Sequence, residues 1–214
     1  MILHPRRSSA EITAGDDYQP ALDFVLGFAL LLGLAYLVTY LAKSYPPSPA
    51  DWKVWIATWG EQFMAPYFPI PLESYRLFMA IAVIPGVLLL WVAMAGTGKL
   101  LSLIFHGHGS FRQYLTLFGF SYFPFWLIAA ILDFLYMGFV NPYIVPALNL
   151  AYGPLVRTVV YLVPLVMYPV IFGVGGVYNA LAARALERFS IWKCALTGIL
   201  TAIEAIALLS IIVR

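Results

Sequence analysis

The chain has 214 residues, of which 63% are hydrophobic and only 10% charged, and its mean hydropathy of +0.89 excludes a water-soluble globular domain. A formal charge of +2 on so few ionisable groups makes no basic patch able to track phosphates, so nucleic acid is not an expected partner. The one cysteine, Cys194, rules out an internal disulfide and a multi-cysteine metal site, and its apolar surroundings suit a packed thiol.

Residues 1–20, MILHPRRSSAEITAGDDYQP, form a short polar tail. The apolar run behind it is of spanning length and has no small-residue cleavage site, so it is expected to be retained as the first membrane helix. Residues 21–214 then make one helical unit with no sign of an internal repeat or a second domain. Crossing a hydrocarbon core takes about 20 apolar residues in a helix, because lipid offers no partner to an unpaired backbone group. Five segments meet that requirement, from Ala21 to Ala42, Tyr75 to Ala95, Tyr114 to Phe139, Val156 to Leu181 and Cys194 to Val213. The expected fold is an all-α integral membrane protein with five transmembrane helices.

The segment between the first two spans, residues 43–74, is bounded by Pro46, Pro47 and Pro49 on one side and Pro66, Pro69 and Pro71 on the other. Within it Trp52, Trp55, Ile56, Trp59 and Phe63 recur at helical spacing, with Asp51, Lys53 and Glu61 off the stripe. This pattern predicts an amphipathic interfacial helix in the first external loop, anchored by the three tryptophans, whose rings are apolar while their N–H groups stay wet. At the end of the second span, AGTGKLL departs from a phosphate-binding loop at Ala93 and Leu100 and reads as a span end with a lysine at the cytoplasmic surface.

The turn HGHGSFRQ, residues 106–113, follows. Its two histidines could hold a metal only if a further ligand such as His4 converged on them; solvated histidines in a glycine turn are the reading adopted, with no metal and no cofactor expected. Glycine ends the preceding helix, Ser110 can cap the next, Arg112 and Gln113 remain at the interface, and Pro124 loosens the third span. Asp133 at the outer end of that span and Arg157 at the outer start of the fourth are placed to form a structural ion pair. The fourth span carries Pro164 and Pro169, with Gly173, Gly175 and Gly176 allowing bending or close approach. In the fifth span Glu204 is the residue most exposed to the cost of burying a charge. Thr201 and Thr197 lie on roughly the same helical face, and together the three form a candidate intramembrane polar site, either a proton or ion relay or a protonated carboxyl that hydrogen-bonds a neighbouring helix.

With the N-terminus inside, the basic residues Arg6, Arg7, Lys99, Arg112, Arg184, Arg188 and Lys193 fall on the cytoplasmic side, against Lys43, Lys53, Arg76, Arg157 and Arg214 outside. That bias places the N-terminus in the cytoplasm and the C-terminus outside.

Gly109, Ser110, Phe111, Arg112 and Gln113, followed by Phe120, Ser121, Tyr122 and Pro124, form a progression from glycine turn into middle span that resembles the Yip family, five-span membrane proteins named for interaction with Ypt/Rab GTPases. The resemblance runs from about residue 75 onward and implies a prokaryote-like member in an inner or plasma membrane. Eukaryotic Yip proteins carry a long cytoplasmic N-terminal region; only about twenty residues precede the first span here, which argues against GTPase binding.

There is no Gly-x-Ser-x-Gly, no zinc-protease helix and no paired-carboxylate site with a nucleophile, so an enzyme is not expected. The first expectation is a non-enzymatic scaffold, organiser or assembly factor that acts through helix packing, with the bilayer and a membrane protein or further copies of itself as partners. The alternatives are an accessory subunit of a larger membrane complex, and a small transporter or channel built on Glu204 and the kinked fourth span.

Overall fold

The computed structural model describes residues 17–41, 72–135 and 154–212, without the side chains of Thr39 and of residues 72–76, 129–130, 132–135, 154–169 and 209–212. All regular structure among them is helical: α1 (Gln19–Leu41), α2 (Leu72–Ile104), α3 (Phe111–Leu135), α4 (Pro154–Glu187) and α5 (Ile191–Ile212). Three helices are long and apolar enough to cross a membrane, over Gln19–Val38 in α1, Leu77–Ile104 in α2 and Ile191–Leu208 in α5. The tryptophan loop with Trp52, Trp55 and Trp59, the residue His4, and the side chains of Asp133 and Arg157 lie outside the described residues.

Helix ends follow local chemistry. Asp17 accepts a hydrogen bond from the Gln19 amide at 2.9 Å, and Pro20 sits in the first turn, where a missing N–H costs nothing. Helix α2 runs nine residues beyond the expected end at Ala95, because Thr97 and Gly98 lie against its neighbours, Thr97 facing Glu204 of α5 and Gly98 the Tyr114 and Phe118 rings of α3. It stops in a Schellman turn: the Gly107 amide donates to the Ser102 carbonyl at 2.7 Å and the His106 amide to that of Leu103 at 3.2 Å. His106 takes the left-handed conformation at φ 61° that the motif requires. Helix α4 ends similarly, with Arg188 at φ 56° and its amide donating to the Arg184 carbonyl at 3.0 Å.

The helices form a ring in which α1 packs on α2, α2 on α5, α5 on α4, α4 on α3 and α3 on α1, with α2 and α3 also touching across it. Helix α3 carries the large core aromatics Tyr114, Phe118, Tyr122, Phe123 and Trp126, all buried. Phe28 of α1 meets the Phe123 and Trp126 rings at 5.9 and 6.0 Å, and Phe172 of α4 meets Trp126 at 5.8 Å, so one aromatic cluster joins three helices. Small residues let backbones close up elsewhere. A Cβ on Gly33 would stand 2.7 Å from the Ala80 carbonyl, and one on Gly176 would stand 2.7 Å from that of Gly198.

The outer surface is apolar. Leu34 (α1), Ile81 and Leu89 (α2), Val177 (α4) and Ile199 (α5) are each more than half exposed. Such a surface is a liability in water and the correct solvent-facing side in lipid.

Candidate functional site

The polar groups concentrate where the α2–α3 turn (residues 105–110) meets the α4–α5 turn (residues 188–190), and Glu187, the last residue of α4, is the centre of that meeting. Its Oε1 accepts from the Gly109 amide at 2.9 Å, the Tyr114 hydroxyl at 3.0 Å and the Ser102 hydroxyl, while Oε2 accepts from the His108 amide at 2.7 Å. Four donors from two helices and a turn therefore enclose one carboxylate. The two consecutive amides of His108 and Gly109 form a small anion nest of the kind turn backbones make. Partial burial pushes the Glu187 carboxyl up, but the Ser102, His108, Gly109 and Tyr114 donors outweigh it and hold the group below the usual glutamate value.

This site explains the two glycines of HGHG. A Cβ on Gly107 would lie 2.5 Å from Glu187 Oε2 and 2.6 Å from Ser102 Oγ; one on Gly109 would lie 2.5 Å from Glu187 Oε1 and 2.7 Å from Leu186 Cδ2. The carboxylate can reach the turn backbone only because neither residue has a side chain. Lys99 closes the arrangement from α2 by donating to the Gly109 carbonyl at 2.7 Å.

A second set of contacts joins the same two turns. The Lys193 ammonium of α5 lies 5.1 Å from the Phe105 ring centre, 5.4 Å from Phe189 and 5.8 Å from Trp192, within cation–π range of all three, and it donates to the Phe105 carbonyl at 3.5 Å. Glu187 and Lys193, flanking the α4–α5 turn, thus both reach into the α2–α3 turn, one as an acceptor and one as a donor.

The motif residues sit directly beside this latch. Ser110 and Gln113 form a capping box at the start of α3: the Ser110 amide donates to Gln113 Oε1 at 2.8 Å and the Gln113 amide to Ser110 Oγ at 3.2 Å. Phe111 and Arg112 are exposed, Gly109 is buried in the latch, and α3 continues as helix through Pro124. His106 and His108 are both exposed and gather no third His, Cys, Asp or Glu among the described residues.

Within the helices, the Thr197–Thr201–Glu204 face divides into two. Thr201 and Thr197 are fully buried. Thr201 accepts from the Asn179 amide at 3.1 Å and donates to the Thr197 carbonyl at 2.9 Å, and Asn179 Oδ1 in turn accepts from Ser121 at 2.5 Å. This chain links α3, α4 and α5 through a fully buried asparagine. Thr197 returns its hydroxyl to the Lys193 carbonyl at 3.0 Å. Glu204 stands apart, facing the Thr97 hydroxyl of α2. Its Oε2 is buried with no hydrogen-bond partner among the described residues.

Sequence reasoning did not single out Glu187 or Asn179. Asn179 was visible as an amide in a span with little other polarity; Glu187 was hidden among the basic residues of the α4–α5 connection, where it reads as part of a topology signal. No protein-family model matches the chain, and no curated protein or solved structure matches it either.

Proposed function

We propose that this chain is a five-span integral membrane protein whose polar residues serve assembly, making it a scaffold or assembly factor that holds a membrane partner or further copies of itself. The observation that carries this reading is the fate of its polar groups: Glu187, Lys193, Asn179, Ser121 and Thr201 each bind one helix or turn to another. Groups engaged in this way are committed to holding one helix or turn against another. The outward surface, in contrast, offers aliphatic side chains on every helix whose surface is described. Helices α3 and α4, of 25 and 34 residues, are about 37 and 51 Å long, enough to cross with the other three. The Yip-like progression is accounted for by the same mechanics, since Gly109 admits the carboxylate and Ser110 and Gln113 start the helix.

Extraction in a mild detergent followed by mass measurement tests the reading. A scaffold is expected to leave the membrane as a homo-oligomer or with a bound protein. A bare 23.8 kDa monomer under conditions that keep known membrane complexes intact would contradict it.

One observation favours a second reading, transport. Among the described residues Glu204 Oε2 is a buried polar atom without a hydrogen-bond partner, and such a group inside a bundle is where a proton or small polar solute would find it. Proton-coupled flux in liposomes that disappears with Glu204→Gln would support this second reading; flux that is absent or unchanged removes Glu204 from any mechanism.

A further inference from the structure

Helix α4 carries a stripe at heptad-like spacing, Val170, Val174, Val177, Leu181 and Arg184, and Arg188 follows in the left-handed position just past the helix end. Its first three members are exposed aliphatic side chains, at 56%, 37% and 58%, and the two arginines are both exposed. Around that basic end lies an open groove of about 410 Å³ lined by Leu181, Arg184, Ala185, Arg188 and Phe189. The acid adjacent in sequence is Glu187, but its carboxylate is turned into the α2–α3 turn, where four donors occupy it. Neither guanidinium hydrogen-bonds or ion-pairs with a described side chain, so two positive charges stand in one groove without a counter-ion from the described residues.

On the membrane reading of the chain, this groove lies where the apolar surface of α4 gives way to its basic end, at headgroup depth. From that juxtaposition we infer that the groove is a site for one anionic phospholipid, whose phosphate is held by Arg184 and Arg188 and whose acyl chain lies along Val177, Val174 and Val170. Guanidinium groups are the side chains best suited to a phosphate, being planar, weakly hydrated and able to donate two hydrogen bonds at once. Basic recesses on the positively charged face of membrane proteins select anionic headgroups on the same grounds. Phe189 and Leu181 give the glycerol region an apolar wall. The Glu187 latch then has a second consequence: it keeps the one local carboxylate away from the phosphate.

Native mass spectrometry of the full chain in detergent, offered equal amounts of phosphatidylglycerol and phosphatidylcholine, tests this directly. Phosphatidylglycerol is expected to be retained on the order of 30-fold better, given roughly 1 kcal/mol for each of the two arginines at the surface. Arg184→Gln with Arg188→Gln should bring the two lipids close to parity, while Arg184→Lys with Arg188→Lys keeps most of the preference and shows that the fold tolerates change there. Arg112→Gln, exposed on the same face but outside the groove, should leave the preference intact. A preference that survives the double glutamine variant, that falls equally with Arg112→Gln, or that is absent from the native chain overturns the assignment. Retention of inorganic phosphate by the native chain, lost in the double glutamine variant, with no retention of phosphatidylglycerol over phosphatidylcholine would also overturn it, in favour of a soluble anion.

Discussion

Glu187 shows how a single carboxylate can organise two turns that are far apart in sequence. Its hydrogen bonds reach Ser102, His108, Gly109 and Tyr114, and each of those donors needs an acceptor once the turns pack. Glu187→Ala is expected to cost about 1–3 kcal/mol, reduced from the value of a fully buried charged network because the site is partly open to solvent. The measurement is unfolding in detergent by circular dichroism. The pH dependence follows from the same bonds. The folded-state pKa is held below the unfolded value of about 4.3, so the stabilisation is fully present above that value and is lost as pH falls through the lower, folded one. Glu187→Gln should therefore flatten the acid side of the stability curve, and an unchanged acid limb would show that the carboxylate is not the group responsible.

The same turn contains two backbone effects of opposite sign. His106 is a left-handed, exposed, non-glycine residue, a conformation costing about 1–2 kcal/mol. His106→Gly should raise stability by about 0.5–1 kcal/mol, after allowing for the extra freedom glycine gains in the unfolded chain. Gly109→Ala should lower it, because the new methyl would meet Glu187 Oε1 and Leu186. A thermal unfolding comparison of the two variants separates strain relief from steric conflict. Of this site only part was legible in the sequence. Ser110 as a cap could be read from its place ahead of an apolar helix. The reason for the two glycines could not, because the atom they make room for belongs to a residue 78 positions away from Gly109, and nothing in a local pattern records such a distance.

At the scale of elements, the helices were readable because hydropathy and length act locally, and the ends were less so because they depend on neighbours. Helix α2 extends to Ile104 since Gly98 and Ser102 have partners in α3 and α4. Asn179 illustrates the same limit: as an isolated amide in an apolar run it is conspicuous, but its choice of Ser121 and Thr201 over Glu204 depends on how α3, α4 and α5 are rotated against each other. Asn179→Ala is expected to destabilise the bundle by about 1–2 kcal/mol, the scale of interhelical hydrogen bonds in membranes. Gly198→Val should be worse, since even a Cβ at that position would collide with the Gly176 carbonyl and the Ala180 methyl, forcing α4 and α5 apart. Loss of helix pairing read by disulfide trapping between cysteines placed on α4 and α5, in a Cys194→Ala background, would distinguish these two effects.

For the whole molecule, the apolar exterior and inward polar groups fit the proposed lipid-solvated bundle, and among the described residues the helices are tied together at one end. That end holds Asp17, the 105–110 turn and the 188–190 turn: the Thr116 hydroxyl contacts the Asp17 carbonyl, and Glu187 and Lys193 join the two turns. It gathers Lys99, Arg112, Arg184, Arg188 and Lys193, which under the positive-inside rule makes it the cytoplasmic face in the proposed topology. The central claim is therefore that the chain crosses the bilayer at each helix and returns to one latched face. Single cysteines at His108, Arg188, Leu41 and Leu77 in a Cys194→Ala chain, labelled from either side with a membrane-impermeant maleimide, test it most directly. The account predicts that positions 108 and 188 label from the cytoplasmic side and positions 41 and 77 only from the other. Labelling of 108 and 188 from opposite sides, or of 41 together with 108, would contradict it.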